Sequence, residues 1–377
     1  MSMAPPTSTD ITEIAARYGL HLSAEDVESF RAAVTAGLAS YDTVEQLYRQ
    51  NAAVAPNDRS YRWPPSDENP LGAWYVRTGI STGAAGPLSG RQVVLKDNIA
   101  LAGVPMTNGS RSVEGFVPRR DATVVNRVLG AGATITGKAV CENLCFAGAS
   151  FTASSGPVHN PWAPDRHAGG SSSGCAALLA AGDIDLAIGG DQGGSVRMPA
   201  AFCGVVGHKP THGLVPYTGA FPIESTIDHL GPMTRTVRDA ALLLGVLAGD
   251  DGFDPRQHRT PQPGDYLGAL ESGVRGLRVG VLTEGFGLPE VSEPEVDASV
   301  LAAVDTLAAA GAVVSEVTVP WHRKGLDIWN VISTDGTVEQ MIDGNGYGMN
   351  WAGRYDPELI EHFGRGRFAH ADELSET

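Results

Sequence analysis

The part of the chain with most capacity for chemistry runs from Ala168 to Thr211. There, Gly169-Gly170-Ser171-Ser172-Ser173-Gly174 and Gly193-Gly194-Ser195 stand on either side of an apolar segment. A hydroxyl flanked by glycines can sit where backbone N–H groups converge, because no bulky side chain blocks the approach. A serine attacking a carbonyl needs such donors, and losing one commonly costs about 2.7–4 kcal/mol of barrier. Small polar residues also fill loops, so these serines acquire chemical meaning only with a base. Ten histidines are available, yet none stands at a telling spacing from the serines. The other choice is a lysine sequestered from water, since desolvation disfavours an ammonium. Lys96 closes the apolar run Val93-Val94-Leu95, and strand ends of α/β sheets are where sites collect.

The elements that must position these residues alternate. Strands are expected at Gln92 to Leu95, Ala133 to Thr136, Asp185 to Ile188, Arg278 to Leu282 and Val313 to Val319. Helices are expected at Ala122 to Leu129, Cys175 to Ala181, Val237 to Leu247 and Glu295 to Ala310. Ser292 and Glu295 read as a capping box for the last helix, and Gly311 as its stop. This rhythm predicts an α/β fold with helices packed around a buried sheet. Residues 1–72 read as a helical leader: Ser23 is placed to cap a helix carrying Val27, Phe30 and Val34, and Thr43 to Arg49 gives a further short helix. Tyr61 to Leu71, with Pro64, Pro65 and Pro70, reads as a linker. The α/β core then spans 73–320, and 321–377 reads as the start of a small helical segment.

Composition narrows the function classes. With 27 Lys and Arg against 43 Asp and Glu, the formal net charge is −16, which argues against a nucleic-acid partner. At 42% hydrophobic residues, the chain has enough apolar surface for a packed core. The longest apolar run, Ala240 to Gly249, falls short of the roughly 20 residues that cross a bilayer. The N-terminal residues carry neither a basic nor an apolar segment of the secretory kind. Four cysteines in apolar or Gly/Ser settings fit a reducing compartment and predict a cytoplasmic protein. Cys141 and Cys145 have no His pair or CxxC nearby and read as a reduced pair rather than metal ligands, while Cys203 reads as buried filler.

The segments Val93 to Ser110 (VVLKDNIALAGVPMTNGS), GGSSSG, GGDQGGSVRMPAAFCGVVGHKPT and Gly231 to Leu244 (GPMTRTVRDAALLL) resemble the amidase signature family in order and spacing. The leader, with Ser40-Tyr41-Asp42 and Glu68-Asn69-Pro70-Leu71, is similar to bacterial enantioselective amidases associated with nitrile and amide degradation. The resemblance implies an amidase-signature core, a mixed central sheet flanked by helices. It implies hydrolysis of a carboxamide to carboxylate and ammonia through an acyl-enzyme, with no cofactor and no metal. The family's Ser-cisSer-Lys triad falls on Ser195 as nucleophile, Ser171 as relay and Lys96 as base, with a cis peptide after Gly170. The oxyanion hole falls on the amides of Gln192, Gly193, Gly194 and Ser195. Asp191 and Arg197 would hold the Gly-rich loop or form a purely structural ion pair, Asp97 and Ser172 would orient Lys96, and Phe146 and Trp329 are candidates either to line the acyl pocket or to pack in the core. The leader's apolar face predicts either a homodimer or packing of the leader on the chain's own core. Family members usually continue past Thr377, so the chain is expected to end within the last segment.

Three other readings compete. Gly170 to Gly174 matches the G-x-S-x-G elbow of α/β-hydrolases, with Ser172 as nucleophile and Asp228 and His229 as partners, but no apolar strand precedes it. Gly132 to Lys138 matches most of a P-loop, but Ala139 replaces the magnesium-binding hydroxyl. A catalytically silent relative serving in binding or assembly is the third, and turnover of a simple carboxamide separates it from an enzyme.

Overall fold

The computed structural model describes residues 4–51, 59–257, 261–289 and 291–337. The chain divides into two compact units, residues 1–54 and 55–377. The first consists of α1 (Ser8–Arg17) and α2 (Ala24–Asn51). Ser23 caps α2, its Oγ accepting the Asp26 N–H at 3.1 Å. The two helices expected from the leader are one continuous α2: no Pro separates them, and Gly37 between them stays within the helix without the positive φ of a C-terminal stop. Of its expected apolar face, Val27 is buried, whereas Phe30 and Val34 remain exposed.

The second unit is built on a seven-stranded mixed sheet. In chain order its elements begin with β1 (Tyr61–Arg62), β2 (Trp74–Ile80), β3 (Gln92–Lys96), α3 (Thr123–Gly130) and β4 (Thr134–Ala139). A two-stranded ribbon follows, β5 (His159–Asn160) and β6 (Ala163–His167), then α4 (Ser173–Ala181), β7 (Leu186–Asp191), α5 (Arg197–Cys203), β8 (Val206–Gly207), β9 (His229–Thr234) and α6 (Val237–Leu247). The spatial order is β1-β2-β4-β3-β7-β9-β8. β3 runs parallel to both β4 and β7, while the outer strands are antiparallel. Strand alternation assigns the faces. Val93 and Leu95 pack with α3 and α6 residues such as Val128 and Leu244, whereas Val94 packs with Ala176, Leu179 and Ala200 of α4 and α5. α4 is buried on nearly all sides, and its Gly and Ala content lets it lie close against the strands.

The structure corrects four expectations. The linker expected at 61–71 contains β1, whose Tyr61 and Arg62 pair with Thr78 and Arg77; the prolines that suggested a linker limit this edge strand to two residues. β2 and β9 were absent from the expected strands. The last two expected strands, β10 (Arg278–Leu282) and β11 (Val313–Val317), form a separate parallel pair instead of joining the central sheet. α7 (Tyr266–Ala269) precedes them in the chain, and α8 (Pro294–Ala309) connects them. The capping box expected for α8 is not formed: Pro294 occupies the first helical turn, Glu293 is the cap position, and Ser292 Oγ accepts the Leu288 N–H at 3.0 Å. Proline at the first turn needs no partner for a missing N–H, so the helix starts one residue later than the box requires. α9 (Gly325–Thr337) is the described part of the final helical segment, and 338–377 lie outside the described residues.

Candidate active site

The three parallel strands β3, β4 and β7 end on the same side of the sheet, and each delivers a charged side chain there: Lys96, Lys138 and Asp191. Lys96 is fully buried. Its Nζ donates to Ser171 Oγ at 2.7 Å and to the Gly190 carbonyl at 3.1 Å. The Gly170–Ser171 peptide is cis, and a Cβ at Gly170 would collide with the Ala149 carbonyl oxygen. Ser171 leads into the N-terminus of α4, and Ser195 stands just before α5. The two segments are tied together, since the Ser172 N–H donates to the Ser195 carbonyl at 3.1 Å. Among the described residues, the Ser195 hydroxyl makes no hydrogen bond to a protein group, so Ser195 and Ser171 are not directly bonded in this structure.

Asp191 organises the turn before α5. Its carboxylate accepts the N–H groups of Gly194 (2.9 Å) and Val196 (3.0 Å) and both Nε (3.0 Å) and Nη2 (2.9 Å) of Arg197. Burial pushes the Asp191 carboxyl up, but the Arg197 guanidinium and the two amides outweigh this and hold it below the ordinary carboxylate range. One expected oxyanion donor is therefore engaged elsewhere: the Gly194 N–H is directed at Asp191. The amides of Gln192, Gly193 and Ser195 have no acceptor among the described residues.

Asp97 does not touch Lys96. Its Oδ1 stands 2.7 Å from Lys138 Nζ, and its Oδ2 accepts from Thr107 N, Thr107 Oγ1 and Asn108 N, each at 2.9 Å. The side chains alternate across β3, so the residue after Lys96 turns away from it. Lys138 is the charged residue that the sequence reading missed. Burial pushes its ammonium below the usual lysine value, with Asp97 opposing the fall. The signal is a lysine inside the largely buried strand Thr134–Ala139, which the near-match of Gly132 to Lys138 to a P-loop obscures. Ser172 reaches Lys96 only through a shared acceptor, because its Oγ donates to the same Gly190 carbonyl at 3.1 Å.

A cleft of about 350 Å³, counting its open mouth, leads to Ser195 and is lined by Phe146, Gly193, Met198, Ile223 and Trp329 among others. Cys145 also faces it; all four cysteines are free and buried. Burial alone would raise the Cys145 thiol, but contact with Cys141, Lys96 and Ser171 lowers it. The competing triad is not assembled. The Ser172 hydroxyl is engaged with Gly190, while the His229 ring bonds the Ile227 carbonyl at 2.7 Å and faces Lys209 Nζ at 3.3 Å. Burial and the neighbouring Lys209 hold His229 down at about 4. Among the described residues, no group of three or more His, Cys, Asp or Glu could hold a metal ion.

Residues 42–361 match the Amidase family. The chain belongs to the amidase family. It is 54% identical over its whole length to the enantioselective amidase of Rhodococcus rhodochrous, covering 72% of that protein. It is 39% identical to a glutamyl-tRNA(Gln) amidotransferase subunit from Synechococcus sp. (strain RCC307), over 82% of this chain and 64% of that one. Among solved structures, the native peptide amidase of Stenotrophomonas maltophilia matches with a TM-score of 0.65 at 33% identity, over 77% of this chain and 59% of that one. A bacterial aryl acylamidase of the amidase signature family matches with a TM-score of 0.63 at 25% identity, over 99% and 74%. The fold is thus the amidase-signature α/β core, and the chain is an amidase-family enzyme. No helix among the described residues is long and apolar enough to cross a membrane.

Proposed function

We propose that this chain hydrolyses a carboxamide with an apolar acyl group to carboxylate and ammonia. The observation that carries the reading is the fully buried Lys96 hydrogen-bonded to Ser171, beside a Ser195 whose hydroxyl is free to face the cleft. Ser195 attacks the amide carbon and passes its proton to Ser171, which passes one to Lys96 Nζ. The amides of Gln192, Gly193 and Ser195 receive the oxyanion, while Asp191 and Arg197 hold the turn that presents them. The lysine ammonium then returns a proton through Ser171 to the leaving nitrogen, releasing ammonia and an acyl-enzyme. Water attacks the ester in the second half-reaction, with the same relay acting as base. Phe146, Met198, Ile223 and Trp329 form the apolar wall that selects the acyl group.

The test is a panel of aliphatic and aromatic carboxamides assayed for ammonia release, with and without exhaustive chelation. Turnover is expected for amides with apolar acyl groups, at a rate that chelation leaves unchanged. Activity lost on chelation and restored by zinc would overturn the cofactor-free mechanism. A protein that turned over none of the amides would instead fit a silent relative that serves in binding or assembly.

The four buried free thiols support a cytoplasmic setting. The exposed Phe30, Val34, Tyr41, Val44 and Leu47 of the first unit support a homodimer formed through the leader. The full chain is expected to run as a dimer in light scattering and a chain lacking residues 1–54 as a monomer. Equal oligomeric states in the two proteins would reject the dimer.

A further inference from the structure

Trp329 does more than present a ring to the cleft. Its Nε1–H donates to the Gln192 carbonyl at 3.1 Å, a bond a pocket wall does not require. The ring also covers Gly193 closely: a Cβ at that position would lie 2.7 Å from Cε2 and Cζ2. The Gln192 carbonyl and the Gly193 N–H belong to the same planar peptide unit, and in a trans unit they point in opposite directions. A donor that holds the carbonyl therefore sets the direction of the N–H. Among the described residues, this carbonyl accepts no other hydrogen bond, and glycine at 193 leaves the plane otherwise free to turn.

The rest of Gln192 is anchored from the other side. Its Nε2 donates to the Tyr217 hydroxyl at 2.9 Å, and that hydroxyl donates to the Phe221 carbonyl at 3.0 Å. Tyr217 is itself fully buried. The side chain of Gln192 is thus fixed in the core, and the peptide between Gln192 and Gly193 is the soft joint of the turn.

We propose that Trp329 is a positioning residue: its indole N–H holds the Gln192 carbonyl so that the Gly193 N–H is aimed at the substrate oxygen over Ser195. The proposal rests on the reading of Ser195 as nucleophile given above. An apolar ring of similar size would serve as cleft wall equally well, so the indole N–H separates the two roles.

Trp329→Phe keeps an aromatic wall and removes the donor. It is expected to lower kcat about tenfold or more, part of the roughly 10²–10³ lost with a whole oxyanion donor, while KM stays within about twofold. The Ki of the aldehyde bearing the acyl group of the best amide should rise by the same factor as kcat/KM falls, because its adduct with Ser195 resembles the transition state. If Trp329→Phe unfolds α9, replacing Trp329 by benzothienylalanine, which has sulfur in place of the N–H, gives the same readout in the native shape. An unchanged kcat, or a rise in KM alone, makes Trp329 a cleft wall only and overturns the proposal. Failure of the underlying reading is distinct: it would appear as parent-like turnover in Ser195→Ala and Lys96→Ala.

Discussion

Replacing Lys96 by alanine is expected to lower kcat by about 10²–10⁴-fold, the range that a positioned acid–base group supplies. Ser195→Ala should fall at least as far, because it removes the covalent route altogether. The Lys96 Nζ contacts Ser171 Oγ at 2.7 Å and the Gly190 carbonyl at 3.1 Å, and no histidine takes part in these contacts. His229→Ala should therefore leave turnover within a few-fold of the parent, its ring being committed to the Ile227 carbonyl and Lys209. Steady-state kinetics on one amide, with circular dichroism to confirm folding, decides the matter. Loss of activity in His229→Ala with retention in Lys96→Ala would bring the Ser-His-Asp alternative forward.

The second large effect is on stability and comes from Lys138. Its ammonium and the Asp97 carboxylate are both buried, 2.7 Å apart. Removing one member of such a pair leaves an unpaired buried charge and costs about 3–5 kcal/mol, a large share of the roughly 5–15 kcal/mol that keeps a domain folded. Lys138→Met should accordingly lower the denaturation midpoint sharply. The double variant Lys138→Met/Asp97→Asn should recover part of the loss, since the uncompensated carboxylate is then gone. A Lys138→Met protein that melts within a degree of the parent would show that this pair contributes little.

Sequence and tertiary structure divide along a physical line. The strands and helices around the site are legible because apolar periodicity reports which local segments bury one face or both. Val93 to Lys96 and the helix after Gly174 are readable in this way. β2 and β9 are harder, because Trp74–Ile80 and His229–Thr234 mix polar, Gly and Pro residues with apolar ones. These strands depend on sheet neighbours more than on their own pattern.

Residue type and glycine context single out the two serine clusters and make Lys96 a candidate base, the family resemblance picks Ser171 and Ser195 from among the serines, and the structure brings Lys96 against Ser171. The sequence by itself therefore determined the α/β rhythm, the residue types available for acyl chemistry and membership of the amidase family. Tertiary structure decided which buried group meets which. Asp97 turned from Lys96 to Lys138, 41 residues away; the Gly194 amide went to Asp191; and Trp329 reached the Gln192 carbonyl across 137 residues. β10 and β11 paired with each other instead of extending the central sheet. Periodicity encodes how deeply a residue is buried, but a hydrogen bond or ion pair is set by where distant segments pack. At close range in a low-dielectric interior, that packing decides which charges are paired and which amides stay free for a substrate.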